Sequence, residues 1–312
     1  MRSNERILTT HAGSLPRAKE LRDLVVDREH GEVTAGQDDA IRAVVETCVH
    51  EIVRRQSEVG LDLVSDGELS KIGYATYVRE RLTGFEGVGG GITIWDLAEL
   101  PELAQRSLAG LDPTTPACSG PVSYRGHAAL QTDIGNLTAA VQAAGDVELF
   151  LTAASPGVIA TYLPNGYFAD EDEYLTALAE AMREEYEAIA AAGLVVQIDA
   201  PDLAMGLHVG PALLTVPEFQ RVVARRVELI DQATRNIAPE QIRLHLCWGD
   251  YAPHHLDVPL QPIVDLVLDG KAQAVSFEAA NPQHEHHWRV FEEVQLPEDK
   301  VLVRAGAPAA AQ

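Results

Sequence analysis

Seven short β-prone runs recur along the chain, most of them followed by a turn and then by apolar residues at helical spacing. The runs are Ile7–Thr10, Leu61–Ser65, Glu148–Thr152, Leu194–Asp199, Ile242–Gly249, Ala272–Glu278 and Lys300–Val303. Between the first two, residues Gln37–Val59 carry Ile41, Val44, Val45, Val49, Ile52 and Val53, one apolar face of a helix that Gly60 stops. Further helices are predicted over Ser70–Leu82, Asp133–Ala144, Glu171–Ala192, Val216–Thr234, Gln261–Leu268 and His284–Val294. A strand reaches a parallel neighbour only through a long crossover, so this alternation predicts βαβ units and a parallel sheet.

Polar residues gather just after the strands: Ser14, Glu68, Asp199, His245 with Cys247, and Glu278. An open doubly wound sheet collects such groups at one or two crevices, whereas a closed barrel converges groups from many strands on one face. No glycine-rich nucleotide loop follows the first run. The expected fold is therefore an α/β TIM-type (β/α)8 barrel. Seven runs fall short of eight, so the last strand-helix unit is expected to be lacking. Residues 1–303 form the barrel, with an excursion over 84–126 that includes a hairpin at Ala117–Gly126. Residues 304–312 read as a disordered tail. An unclosed barrel exposes a strand edge, which predicts a homo-oligomer or marginal stability.

The chain has 47 acidic and 24 basic residues, a net charge of −23 that repels nucleic acids and anionic membranes and suits a cation or small polar substrate. Three cysteines are too few and too odd a number for a disulfide framework. The chain lacks the roughly 18-residue apolar run of a membrane span, and its N-terminus lacks the apolar core of a signal peptide. A cytoplasmic protein is expected.

The chemistry centres on His245-Leu-Cys247. Residues two apart on a strand share a side, and imidazole and thiolate are preferred ligands of zinc. Ordinary packing is the alternative for such a pair. Glu278, ending the next strand, would supply an oxygen ligand or a solvated strand end. His254, His255, His284, His286 and His287 follow these strands as surface polarity, substrate contacts or further ligands. Asp199 suits an ammonium group or a hydrogen bond, or else caps the next segment. The amides of Gly13 and Ser14 would hold an anion, or form a plain turn. Cys48 and Cys118 read as inert packing.

His11-Ala-Gly-Ser-Leu-Pro16, Asp66-Gly-Glu68, Gln197-Ile-Asp-Ala-Pro201, His245-Leu-Cys247 and Val275-Ser-Phe-Glu278 occur in the order of a known family. Together they resemble the catalytic barrel of cobalamin-independent methionine synthase. The stretches Cys247–His255 and Glu278–His286 look closer to a short single-domain branch that includes the epoxyalkane:coenzyme M transferases. The resemblance implies a zinc enzyme that transfers a methyl or alkyl group to the thiolate of a small thiol such as homocysteine. It also implies that His245, Cys247 and Glu278 are zinc ligands and that Ser14 and Asp199 contact the substrate, with the Gly13 amide beside them. Proton donation to the leaving group would fall to Glu68 or a loop histidine such as His255. Three parts of the family pattern have no counterpart here: the folate-binding N-terminal half, a substrate-binding Glu where Thr76 stands, and a fourth, cysteine ligand on the eighth strand. Two other classes compete, a barrel that only binds a ligand or metal, and a metal-free decarboxylase on a related barrel. The decarboxylase gives no reason for His-x-Cys with a downstream Glu.

Overall fold

The computed structural model describes residues 5–29, 37–71, 73–90, 93–107, 115–141, 147–249, 256–281 and 283–305. Their strands are β1 Leu63–Val64, β2 Gly87–Gly89, β3 Thr115–Ala117, β4 Glu148–Ala154, β5 Val195–Asp199, β6 Ile242–His245, β7 Ala274–Glu278 and β8 Val301–Ala305. Six of them form one sheet in the order β1-β4-β5-β6-β7-β8, with every neighbouring pair parallel. The sheet curls as part of a TIM-type barrel would. No helix among the described residues is long and apolar enough to cross a membrane.

Period-two alternation separates two environments. Leu151, Ala153, Val196, Ile198, Leu244, Val275 and Phe277 face outward into one large core shared with the helices. The inner face has a small apolar floor of Leu63, Phe150 and Val195, with Leu8 packed on it. Above that floor the inner face is polar. Arg243 is buried there, its guanidinium 3.9 Å from the centroid of the Phe150 ring, and it donates to Thr10 Oγ1 at 3.1 Å. Burial lowers its pKa to about 10, against a raising effect from Asp199.

The helices follow their local signals. Helix Gln37–Glu58 buries Ile41, Val45, Val49 and Val53, a stripe at i+4 spacing. Gly60, at φ +84, makes the left-handed turn beyond its end. Helix Glu171–Ala191 is capped by Asp170, whose side chain accepts from Glu173 N at 2.8 Å. Helix Val216–Ala233 opens with a capping box between Thr215 and Glu218.

Three expectations are corrected. The run Ile7–Thr10 is not a strand, although Asp62 N and Leu63 N both donate to Thr9 O, at 2.9 and 3.2 Å. The Asp62 carboxylate accepts from Thr9 N at 2.7 Å and is closed by Arg6, so a side chain replaces the next ladder partner. The hairpin expected within 117–126 does not form: β3 pairs antiparallel with β2, about one excursion earlier in the chain. The helix expected over 284–294 is a 3₁₀ segment, His287–Glu292. His287, at its start, turns inward, and so does His284 in the turn that precedes it. At the far end β8 includes Arg304 and Ala305; residues 306–312 lie outside the described residues.

Candidate metal and substrate site

The register of β5 on β6 places Asp199 beside His245. Asp199 Oδ1 lies 2.9 Å from His245 Nδ1 and accepts from Gln197 Nε2 at 2.7 Å. With Nδ1–H donating to that carboxylate, the lone pair of the ring sits on Nε2. Beyond β6 the strand geometry persists, since Leu246 N donates to Ser276 O at 2.8 Å. Leu244, Leu246 and Trp248 are buried, while His245, Cys247 and Gly249 are half-buried. The imidazole and the thiol therefore share a side, as the alternation predicts.

Glu278 ends β7 and reaches back across the same strand end. Its Oε1 accepts from Trp248 N at 3.2 Å, and its Oε2 accepts from Asn281 Nδ2 at 2.5 Å. The Cys247 thiol lies against this carboxylate. Burial, and then the neighbouring negative charge of Glu278, push the thiol well above its ordinary pKa. Gly249 N donates to Cys247 Sγ at 3.3 Å, a smaller opposing effect.

His245, Cys247 and Glu278 are thus delivered to adjoining strand ends. They do not stand as a closed cage: among the described residues no group of three or more His, Cys, Asp or Glu is disposed to hold a metal ion. The donor chemistry nevertheless suits zinc. It comprises a thiol beside a carboxylate, and an imidazole whose other nitrogen is held by a second carboxylate.

The first two loops form a separate unit. Ser14 Oγ donates to Glu68 Oε2 at 2.5 Å, and Leu15 N to Gly67 O at 3.0 Å. The Arg17 guanidinium donates to Glu68 O at 2.7 Å, Leu69 O at 3.3 Å and Lys71 O. Gly13, Gly67 and Glu68 all have left-handed backbones, at φ 76, 65 and 57. For Glu68 that conformation is strained, and such strain concentrates at functional sites. The structure brings Ser14 and Glu68 to each other, and Arg243 of β6 donates to Thr10 Oγ1 and His11 O at the start of the first loop. His254 and His255 lie outside the described residues.

Of the candidate histidines, His284 and His287 are buried rather than surface groups, packed on Trp248 with ring centroids 4.8 Å away in each case. Other residues here were not visible in the sequence. Asn281 was detectable only as a polar residue three positions beyond Glu278. Asp257 and His208, which also approach this region, carry no local motif.

Similarity to known proteins agrees with this layout. The sequence model for "Cobalamin-independent synthase, Catalytic domain" matches residues 7–92. That stretch of the chain is similar to the catalytic domain the model describes. A methionine synthase from Saccharolobus solfataricus is 24% identical over 259 residues, 82% of this chain and 68% of the relative. One from Sulfolobus acidocaldarius is 25% identical over 252 residues, covering 80% of this chain and 64% of the relative. The matches thus span about two thirds of these relatives. Among solved structures, a putative vitamin-B12-independent methionine synthase from Listeria monocytogenes superposes with TM-score 0.64 at 20% identity, over 96% of this chain and 80% of that one. A B12-independent methionine synthase from Shewanella sp. W3-18-1, in complex with selenomethionine, gives TM-score 0.60 at 17% identity, over 85% and 71%. At these identities the superpositions establish the α/β fold and its partial barrel.

Proposed function

We propose that this chain transfers a methyl group to the sulfur of a small thiol, as the methionine synthases it resembles are named for doing, with zinc held by His245, Cys247 and Glu278. What supports this reading is the Cys247 thiol lying against the Glu278 carboxylate, two residues along the strand from a His245 ring anchored by Asp199. Zinc bound there would lower the pKa of a substrate thiol so that it reacts as thiolate at neutral pH.

The residues have separable tasks in this reading. Asp199 fixes the ring of His245, so that Nε2 is presented to the metal. Cys247 would lose its proton to solvent on becoming a ligand, with Glu278 ligating as the carboxylate. Gly13 and Ser14 would bind the polar end of an amino-acid thiol, with Asp199 available to its ammonium group. Glu68, strained and hydrogen-bonded to Ser14, would sense that substrate and is a candidate proton donor to the leaving group, as is His255.

Homocysteine with a folate methyl donor is the favoured pair. Coenzyme M with an epoxide is the alternative thiol and alkyl donor. Purified protein should carry close to one zinc by elemental analysis, and C247S should lose it. Alkylation should be fastest with homocysteine and the methyl donor. Activity only with the epoxide pair would reassign the donor and acceptor. Sub-stoichiometric zinc in wild type, after zinc supplementation, would overturn the metal reading.

A further inference from the structure

The first loop and the strand that carries His245 meet through one side chain. Arg243 stands two residues before His245 on β6, on the same inner side, and is buried. Its Nη1 donates to Thr10 Oγ1 at 3.1 Å and its Nη2 to His11 O at 3.3 Å. Among the described residues these are the hydrogen bonds that join residues 10–17 to β6. The other anchors of the loop lie on the β1 side. Thr10 Oγ1 donates to Leu63 O at 3.1 Å, and His11 Nε2 lies 2.8 Å from Gln56 Oε1 and 3.2 Å from Ser65 Oγ. Leu15 N donates to Gly67 O, and Ser14 Oγ to Glu68. In the sheet β4 and β5 separate β1 from β6, so the Arg243 side chain reaches across the inner face to the loop.

We propose that Arg243 is a positioning residue that sets the length of acceptor thiol the site admits. It fixes the first loop, where Gly13 and Ser14 would receive the acid end of the acceptor, at a set distance from the end of β6, where the sulfur would react. The inference rests on the thiol-alkylation reading and deepens it.

The needs of the fold alone do not account for this arginine. Its Nε has no partner, and no carboxylate pairs with it among the described residues. A buried cation so placed costs more than an apolar side chain of the same volume. What the arginine supplies is reach and rigidity. A guanidinium is a planar fork, so it meets two loop residues at once. Its Cζ sits 3.9 Å from the centroid of the Phe150 ring on β4, a strand between the loop's other anchors and β6. With both ends held, an acceptor one methylene shorter than homocysteine cannot satisfy loop and strand end together. One missing methylene is worth about 10–200-fold in specificity.

The test compares wild type, R243M and R243K in two measurements. The first is kcat/KM for homocysteine against cysteine with the same methyl donor. The second is amide hydrogen exchange of residues 9–15 against residues 41–53 of helix Gln37–Glu58. R243M removes the fork and the charge, whereas R243K keeps the charge on a single ammonium. Wild type is expected to prefer homocysteine by about 10-fold or more, R243M to lose about 10-fold of that preference, and R243K to lose less. Exchange over residues 9–15 is expected to quicken about 10-fold in R243M, with residues 41–53 as in wild type. If R243M does not fold, R243K carries the test under the same criteria. Unchanged exchange over residues 9–15 would overturn the inference whatever the activity. So would a homocysteine preference that survives faster exchange of the loop, or a wild type that alkylates both thiols equally well. Equal quickening in both segments would assign Arg243 a purely structural role and overturn it too. Wild-type protein that alkylates neither thiol would overturn the thiol-alkylation reading, and this inference with it.

Discussion

Single atoms decide most of what the site can do. Asp199 accepts from both Gln197 and His245, so in the proposed zinc site it would orient a ligand without being one. D199N would leave the His245 ring without its acceptor; zinc affinity is expected to fall by about 10–100-fold, read by chelator competition. C247S should fall further, because hydroxyl oxygen is a poor substitute for thiolate sulfur on zinc. Gly84 is required for a steric reason. At Gly84, φ is +90 and an added Cβ would stand 2.7 Å from Gly120 O and 2.9 Å from Pro121 O. Both neighbours are backbone and cannot swing aside. G84A is expected to destabilise by roughly 2 kcal/mol or more, measured by urea unfolding.

At the scale of elements, the first two strand-following loops behave as one piece because Arg17 gathers the carbonyls of Glu68, Leu69 and Lys71. R17A removes a donor from those carbonyls, of which Glu68 O keeps Lys71 N, and is expected to cost about 1–3 kcal/mol, with faster proteolysis in the 66–71 segment by limited digestion. Thr215 closes the capping box of helix Val216–Ala233, so T215A is expected to cost about 1 kcal/mol by the same unfolding assay. Element boundaries were legible wherever local chemistry sets them. The stripe Ile41, Val45, Val49, Val53 and the stop at Gly60 describe their helix almost to the residue. They were illegible where a distant partner sets them. Thr9 loses its ladder to the Asp62 carboxylate, β3 finds β2 across the excursion, and the 284–294 segment tightens around Trp248. Each outcome depends on a contact that no window of sequence contains.

Across the whole molecule, buried ionisable groups make stability depend on pH. Glu185 is completely buried, and desolvation raises its pKa from 4.5 to about 7 against the lowering effect of Lys71. Arg81, 3.9 Å away, is already committed to Asp133 at 2.5 Å. The folded state therefore holds the Glu185 proton more tightly than the unfolded chain does. That stability is fully present below the ordinary carboxylate range and is lost as pH rises through about 7. Asp66, raised from 3.8 to about 6 by burial, acts in the same direction at lower pH. E185Q removes one of these groups, so it should flatten the fall in stability between about pH 5 and about pH 8 and leave the Asp66 part. Urea midpoints across that range would show it; equal slopes in both proteins would contradict it.

By itself the sequence determined the alternation of strands and helices, the parallel sheet, and the presence of His245 and Cys247 on one side of a strand end. These follow from local rules: a period of two in strands, a fixed period in helices, and caps that act within one turn. Only the tertiary structure decided that Asp199 faces His245, that Glu278 faces Cys247, and that Asp257 links His208 to His284. Those pairings arise from strand register and from loops folding back on one another. Such contacts join residues tens of positions apart, and no pattern confined to neighbouring residues encodes them.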